Sequence, residues 1–283
     1  MFNENKKAIK MDMFEKIQET AAYINQATGN YGPEIGVILG SGLGNLVNEL
    51  DIEKTVSYKD IPHFPVSTVA GHKGQLLFAR LKSGKKVVVM QGRFHFYEGY
   101  AMSEVTFPVF VMKALGVRTM LVSNAAGGMN PGFKVGDIMF INDQINLLPN
   151  PLLGPNDERF GERFPSMHNA YDKDLLKHGL ATAARLGIQV QQGVYVGTTG
   201  PTFETPSEYR YFRIIGGDAV GMSTVPETIV ANYLGMKVMG LSVISDLGGG
   251  EITLEVSHEE VLAAVEKTVP VLVGLVKEIL ETL

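Results

Sequence analysis

Arginine, histidine and tyrosine alternate in one short stretch of the chain, at Arg93, His95 and Tyr97. The stretch follows an apolar run at 86–91, which predicts a buried strand. If the chain stays extended past that strand, the three side chains share one face. Arginine presents a two-pronged donor that matches phosphate, and a neighbouring imidazole can add a second charge-assisted bond. The spacing therefore indicates an anion site; the alternative is a polar strand end with a surface arginine.

A second candidate anion site is the glycine-rich segment 35–44, IGVILGSGLG. Its β-branched start predicts a buried strand, and its last three glycines can adopt positive φ so that successive N–H groups point inward. Ser41 adds a hydroxyl donor, and 45–50 are expected to form a helix with its positive end at the same point. Neither a Walker loop nor a dinucleotide-binding spacing is present. The segment predicts a cradle for a small anion, or else a simple tight turn.

Two predicted helix starts share one pattern, a threonine followed three residues later by glutamate, at 205–208 and 224–227. Both predict capping boxes. The residues just before them, 203–204 and 222–223, are then held at rigid helix entrances, where we expect function rather than plain capping. Ser223 is placed there as an oxyanion donor. It is not expected to be a nucleophile, because GMSTV lacks the final glycine of a hydrolase elbow.

Two carboxylates and two histidines have open interpretations. Glu204 and Asp246 follow apolar segments; in a pocket they would accept hydrogen bonds from a heterocycle, and otherwise they face solvent or cap a helix. His72 lies in a glycine-flanked segment that also suits a hairpin turn, and His258 lies in the first turn of the last predicted helix. The segment 123–128, SNAAGG, predicts either close approach of a ligand or a tight bend.

Strand-like apolar runs alternate with helical patterns along the whole chain. Strands are predicted at 35–39, 75–81, 86–91, 119–123, 137–142, 188–198 and 238–245. Helices are predicted at 11–28, 103–115, 172–186, 206–215, 226–234 and 258–280. This alternation predicts an α/β fold with a mixed or mostly parallel central sheet covered on both faces. No linker divides residues 1–283, so we expect one domain, with 1–30 as an N-terminal cover helix.

Composition excludes several classes of partner. The net charge of −5 without a basic run argues against nucleic-acid and anionic-membrane surfaces. The absence of cysteine removes disulfides, thiolate metal sites and a thiol nucleophile, and it fits a reducing cytoplasm. No apolar run approaches the roughly 18 residues of a membrane span, and the first residues lack the apolar core of a signal peptide. The six histidines form no ligand cluster, so no metal is expected.

A long segment at 146–169 has no periodicity and contains four prolines. Segments of this length inside a compact chain are usually functional or disordered. The aromatic residues Phe160 and Phe164 favour a packed lid or a subunit contact over disorder.

Six ordered blocks resemble the trimeric purine nucleoside phosphorylases, the family that also includes methylthioadenosine phosphorylase. The blocks are LGSGLG, HFPVSTVAGHKG, MQGRFHFYEGY, NAAGGMNP, GPNDERFGERFP and GPTFETPSE through GDAVGMSTVPE. The resemblance implies a single α/β domain of the phosphorylase/hydrolase-like type that works as a cytoplasmic homotrimer in purine salvage. It implies reversible phosphorolysis of inosine and guanosine, with adenosine as a weaker substrate. Inorganic phosphate would be the co-substrate, and neither a metal nor an organic cofactor is implied.

The resemblance also implies a role for each matching residue. Phosphate would be held by Ser41, His72, Arg93, His95, Ala125 and Ser223. The nucleoside would be bound by Tyr97, Ala125, Phe160, Tyr195, Phe203, Glu204, Val220, Met222, Asp246 and His258. The catalytic set would be His95, Glu204 and Asp246. Phe160 would reach into the site of a neighbouring subunit.

One departure from the family pattern concerns the base. Asp246 stands where the members specific for 6-oxopurines have asparagine. An amide both donates and accepts, whereas an ionised carboxylate only accepts, so adenosine becomes an acceptable substrate. Glu204 still suits the N–H groups of guanine, and His258 favours a 5′-hydroxyl over the methylthio group of the nearest alternative, methylthioadenosine phosphorylase. A third interpretation, a catalytically silent nucleoside-binding protein, conflicts with the intact phosphate set.

Overall fold

The computed structural model describes residues 11–40, 44–66, 73–248 and 258–283. The strands in this part of the chain are β1 (Ile35–Ile38), β2 (Asp51–Ser57), β3 (Gln75–Arg80), β4 (Lys86–Gln91), β5 (Thr119–Gly128), β6 (Ile138–Asn146), β7 (Gln191–Gly197), β8 (Ala219–Gly221) and β9 (Lys237–Leu247). The α-helices are α1 (Met13–Thr28), α2 (Met102–Ala114), α3 (Lys173–Arg185), α4 (Pro206–Ile214), α5 (Val225–Tyr233) and α6 (His258–Thr282).

The strands form one mixed sheet in the order β2-β3-β4-β1-β5-β8-β7-β6-β9. β1 pairs in parallel with β4 and β5, and β5 pairs in parallel with β9. Because β5 also pairs with β8, the strands β5, β8, β7, β6 and β9 close on themselves. The carboxyl ends of β1, β4, β5 and β9 therefore meet at one edge of the sheet, where open α/β sheets bind ligands.

Helices cover both faces of the sheet, as the alternating pattern predicts. α1, α2 and α5 pack on one face around a core that includes Ile24, Phe110 and Val230. α3 and α6 pack on the other face, where Phe140 and Leu275 are fully buried. The first helix starts with a capping box between Asp12 and Glu15 and lies within the predicted range. Among the described residues, no helix has both the length and the apolar content needed to cross a bilayer.

The predicted elements differ from the structure at four places. β2 has no strand signal in the sequence because it is an edge strand with mostly exposed side chains and no apolar alternation. β8 has none because it is only three residues long. The helix expected at 45–50 is a 3₁₀ helix, Gly44–Glu49. The strand predicted to end at Ser123 continues to Gly128, since β9 pairs with it along that whole length.

The segment between β6 and α3 is packed, although it contains neither helix nor strand. The Phe160 ring lies against Phe14, at 5.5 Å between centroids, and against Phe110, at 4.9 Å. Arg159 donates to Asp12 at 2.8 Å and also to Asp157. These contacts agree with the prediction of a packed segment and tie it to the start of α1.

Candidate active site

A cavity of about 400 Å³ opens at the edge where the parallel strands end. Ten of the predicted site residues line it, and these are Arg93, His95, Tyr97, Ala125, Phe203, Glu204, Val220, Met222, Ser223 and Asp246. Ser41 and His72 lie outside the described residues, and so does the side chain of His258, whose backbone begins α6. The structure thus brings together residues that are up to 153 positions apart in sequence, from 93 to 246.

Arg93, which follows β4, forms the centre of one end of the cavity. Its side chain is almost completely buried. Nη1 donates to Ser223 Oγ at 2.5 Å and to Thr224 Oγ1 at 3.1 Å, and Nη2 donates to the Ser123 carbonyl at 2.9 Å. A guanidinium has five N–H donors in a fixed plane, so these bonds set its orientation. Arg93 and Ser223, chosen separately from the sequence, therefore belong to one donor cluster.

Thr224 shapes this cluster through its backbone. Its φ is 71° and its ψ is −49°, close to the central residue of a classic γ-turn, a positive-φ conformation that is rare for a β-branched residue. Val225 N donates to the Ser223 carbonyl at 2.7 Å, which closes a tight turn. Thr224 Oγ1 accepts from Asn124 Nδ2 at 2.8 Å as well as from Arg93. Backbone strain of this kind costs about 1–3 kcal/mol and is found mainly at functional sites.

Glu227 provides the negative charge beside Arg93. Its Oε1 lies 3.5 Å from Arg93 Nε, and both side chains are at most 4% exposed. The sequence prediction that Glu227 belongs to a capping box was wrong, because Thr224 makes no capping bond. A buried cation without a nearby anion is costly, so Glu227 offsets the cost of burying the Arg93 guanidinium. The pattern Thr-x-x-Glu gave no signal of this role.

His95 is oriented by a neighbour in the same short segment. Its Nδ1 lies 2.9 Å from Glu98 Oε1, and its ring stacks on Tyr97 with centroids 4.6 Å apart. Burial, together with the nearby Arg93 charge, lowers the pKa of His95, although Glu98 acts in the opposite direction. Burial raises the pKa of Tyr97 to about 12, so the phenol stays protonated. His95 and Tyr97 therefore place an imidazole and a phenol hydroxyl beside the donors around Arg93.

The other end of the cavity carries two carboxylates. Asp246 accepts from Ser245 Oγ at 2.7 Å and from the Tyr209 hydroxyl at 3.0 Å. Glu204 accepts from Thr198 Oγ1 at 3.4 Å. Burial, and then the charge of Asp246, raise the pKa of Glu204. The cavity therefore has a cationic donor cluster at one end and hydrogen-bonding carboxylates at the other.

Comparisons with known proteins identify the family. A model of the phosphorylase superfamily matches residues 34–281. Purine nucleoside phosphorylase 1 of Bacillus subtilis is 53% identical over 94% of this chain and 98% of its own length, and the purine nucleoside phosphorylase of Bos taurus is 51% identical over 89% of each. This chain belongs to the purine nucleoside phosphorylases. A Schistosoma mansoni purine nucleoside phosphorylase, solved in complex with adenosine, is 44% identical, covers 95% of this chain and 97% of its own, and has a TM-score of 0.90.

Two residues expected from the resemblance to purine nucleoside phosphorylases do not line the cavity. Tyr195 is completely buried in β7, with its ring in the space left by Gly221, which has no side chain. Gly221 itself lines the cavity, so Tyr195 lies directly behind the cavity wall, and its role in binding the nucleoside stays a prediction. Phe160 packs on Phe14 and Phe110. Its expected place is in a neighbouring subunit, which a single chain does not contain.

The donor set of this purine nucleoside phosphorylase suits an anion rather than a metal. Arginine, serine and threonine donors surround the buried end of the cavity. Among the residues that the structure describes, no three acidic, histidine or cysteine side chains are grouped so that they could hold a metal ion.

Proposed function

We propose that this chain catalyses the phosphorolysis of purine nucleosides, with phosphate bound at the Arg93 end of the cavity and the purine at the Glu204 end. The observation that carries the proposal is the Arg93–Ser223 contact, 2.5 Å between Nη1 and Oγ, at one end of a cavity whose other end holds Glu204 and Asp246. The products are the free purine and ribose 1-phosphate or its deoxy analogue. The whole chain acts as one nucleoside phosphorylase domain.

The phosphate end of the site is a cluster of donors that is already oriented. Ser223 Oγ accepts from Arg93, and Thr224 Oγ1 lies 3.2 Å away. If Thr224 donates to Ser223, the proton of the Ser223 hydroxyl can point into the cavity beside the Arg93 guanidinium. Phosphate would accept hydrogen bonds from the Ser223 hydroxyl, from the Arg93 guanidinium and from the backbone N–H of Ala125. His95 would lie nearby. Ser41 and His72 remain sequence-based candidates for the same anion.

The reaction separates charge, and the two ends of the cavity fit the two charges. As the glycosidic bond lengthens, positive charge develops on the sugar and negative charge on the leaving purine. Phosphate held at the Arg93 end lies beside the sugar and stabilises its cationic character. Glu204 and Asp246 hydrogen-bond the purine, and a carboxyl group that carries a proton can donate to it as it leaves. Tyr97 and Met222 contact the ribose, which lies between the two ends of the cavity. His258 is proposed to hydrogen-bond the 5′-hydroxyl of the ribose.

The direct test is a substrate panel with and without phosphate. Inosine, guanosine, adenosine and methylthioadenosine are incubated with the protein, and free base is measured. Phosphate-dependent release from inosine or guanosine is the expected result. Release that continues unchanged without phosphate would make the protein a hydrolase, and a strong preference for methylthioadenosine would make it a methylthioadenosine phosphorylase.

We also propose that the active form is a homotrimer in which Phe160 completes the site of the neighbouring subunit. The support is the family resemblance and the position of Phe160 outside the cavity of its own chain. Light scattering after size exclusion should give the mass of three chains, and Phe160→Ala should raise the nucleoside KM while the mass stays the same. A fully active monomer would rule out this proposal.

A further inference from the structure

Tyr209 is a cavity-lining residue that the sequence did not indicate. It lies on the inner face of α4 and is 4% exposed. Its hydroxyl donates to Asp246 Oδ2 at 3.0 Å. Burial, followed by the charges of Asp246 and Glu204, raises the pKa of Tyr209 well above its ordinary value. The phenol therefore keeps its proton and acts as a donor between the two carboxylates.

The backbone around Tyr209 makes room for this contact at two glycines. A Cβ at Gly127 would lie 2.9 Å from the Tyr209 hydroxyl and 3.0 Å from Asp246 Oδ2, too close for a real side chain. A Cβ at Gly248 would overlap the Tyr209 ring. Gly127 belongs to β5, and Gly248 directly follows β9. Two separate segments thus leave space for the same tyrosine–aspartate pair.

The pair determines what Asp246 can offer to a base. One carboxylate oxygen accepts from Tyr209 and the other from Ser245, at 3.0 and 2.7 Å. With a donor on each oxygen, the carboxylate group of Asp246 is held in one orientation. An ionised carboxylate accepts a hydrogen bond from an exocyclic 6-amino group. It cannot hydrogen-bond a 6-oxo group, because both groups are acceptors. Glu204, the neighbouring carboxyl, has a raised pKa, so it takes up a proton more readily than a solvated glutamate and can then donate to the ring nitrogen N1 of a 6-aminopurine.

We propose that Tyr209 is a specificity-determining residue: by donating to Asp246, it orients this carboxylate as an acceptor for the base and extends the substrate range to 6-aminopurine nucleosides. The inference rests on the proposed phosphorolysis and adds a determinant of base choice to it. Tyr209 acts on the base mainly through Asp246.

The test compares Tyr209→Phe with a matched control, Tyr211→Phe. Tyr211 is on the same helix but is 52% exposed and does not line the cavity. The measured quantity is the ratio of kcat/KM for adenosine to kcat/KM for inosine at one phosphate concentration. Loss of a hydrogen bond to a charged group should lower this ratio about tenfold in Tyr209→Phe. Tyr211→Phe should keep the wild-type ratio.

A double-variant cycle then tests whether Tyr209 acts through Asp246. In the Asp246→Asn background, which itself should shift preference toward inosine, Tyr209→Phe should no longer lower the ratio, because the carboxylate that Tyr209 orients is absent. An unchanged ratio in Tyr209→Phe alone would overturn the proposal. A tenfold fall that persists in the Asp246→Asn background would also overturn it, since Tyr209 would then act on the base directly.

Binding of the free bases separates this inference from the proposed function. Calorimetric titration with adenine and hypoxanthine needs no turnover, and Tyr209→Phe should weaken adenine relative to hypoxanthine. If the wild-type protein releases no base with phosphate, the proposed function fails whatever the titration gives. If it turns over both nucleosides but neither readout responds to Tyr209→Phe, only the inference about Tyr209 fails.

Discussion

The starts of α4 and α5 have the same sequence pattern but different structures. At α4, Thr205 Oγ1 accepts from Glu208 N at 3.2 Å and Glu208 Oε2 accepts from Thr205 N at 2.7 Å, a regular capping box on the surface. At α5, Thr224 has a positive φ and caps nothing, and Glu227 is buried beside Arg93. The comparison shows that the threonine and the glutamate of a helix start can both interact with a buried arginine instead of capping the helix.

The two helix starts also differ in their effect on local stability. Thr205 has an extended backbone, φ −71° and ψ 159°, which any residue adopts. Thr224 is in a strained region, and its hydroxyl satisfies Asn124 and Arg93 instead of the helix. The start of α4 therefore contributes to stability, whereas the start of α5 gives up local stability to fix the donors around Arg93.

The largest difference should appear when the two glutamates are removed. Glu227→Ala leaves the Arg93 charge buried without its partner and should lower the free energy of unfolding by about 3 kcal/mol. Glu208→Ala removes one exposed capping contact and should cost about 1 kcal/mol or less. Urea unfolding of both variants provides the measurement. Equal losses would mean that Glu227 is no more than a capping residue.

Removal of the Arg93 side chain should weaken the binding of phosphate much more than the binding of the nucleoside. Arg93→Ala loses charge-assisted donors to the anion and should raise the phosphate KM about 100-fold, equivalent to about 2.7 kcal/mol. The nucleoside KM should change much less. Arg210→Ala, an exposed arginine on α4 that donates to Ser207, is the control. A loss confined to nucleoside affinity would contradict the assigned role.

The smallest of these effects is expected at the surface cap. Thr205→Ala removes the acceptor for Glu208 N and should lower the free energy of unfolding by about 1 kcal/mol. Steady-state kinetics should give a wild-type KM for phosphate. If phosphate affinity fell as well, the contrast between the two helix starts would be lost.

Most of the sheet could be predicted from the sequence, because its buried strands are largely apolar runs, such as KVVVMQ at 86–91 and VMGLSVIS at 238–245. The edge strand β2 could not, since its side chains are mostly exposed and its pairing with β3 is decided by tertiary contacts. The helix boundaries followed from stop signals such as the glycines at 29 and 235.

The site was predictable where residue type alone indicates chemistry, as for Arg93 and Ser223. The site was not predictable where burial gives a residue a role different from the one that its type and spacing indicate. Glu227 looks like a capping glutamate until its position beside Arg93 is known. Tyr209 and Phe212 are spaced like core residues of an amphipathic helix, and only the contact with Asp246, 37 positions away, reveals a polar function.

The most direct test of this account is the phosphate dissociation constant of Thr224→Ala, measured by calorimetry beside Thr205→Ala and Thr224→Ser. Thr224→Ala removes the acceptor that holds Arg93 and Asn124, and we expect phosphate binding about tenfold weaker. Thr224→Ser retains the hydroxyl and should bind phosphate nearly as the wild type does, and Thr205→Ala should be unchanged. Equal phosphate affinity in all three variants would contradict the claim that the start of α5 builds the anion site.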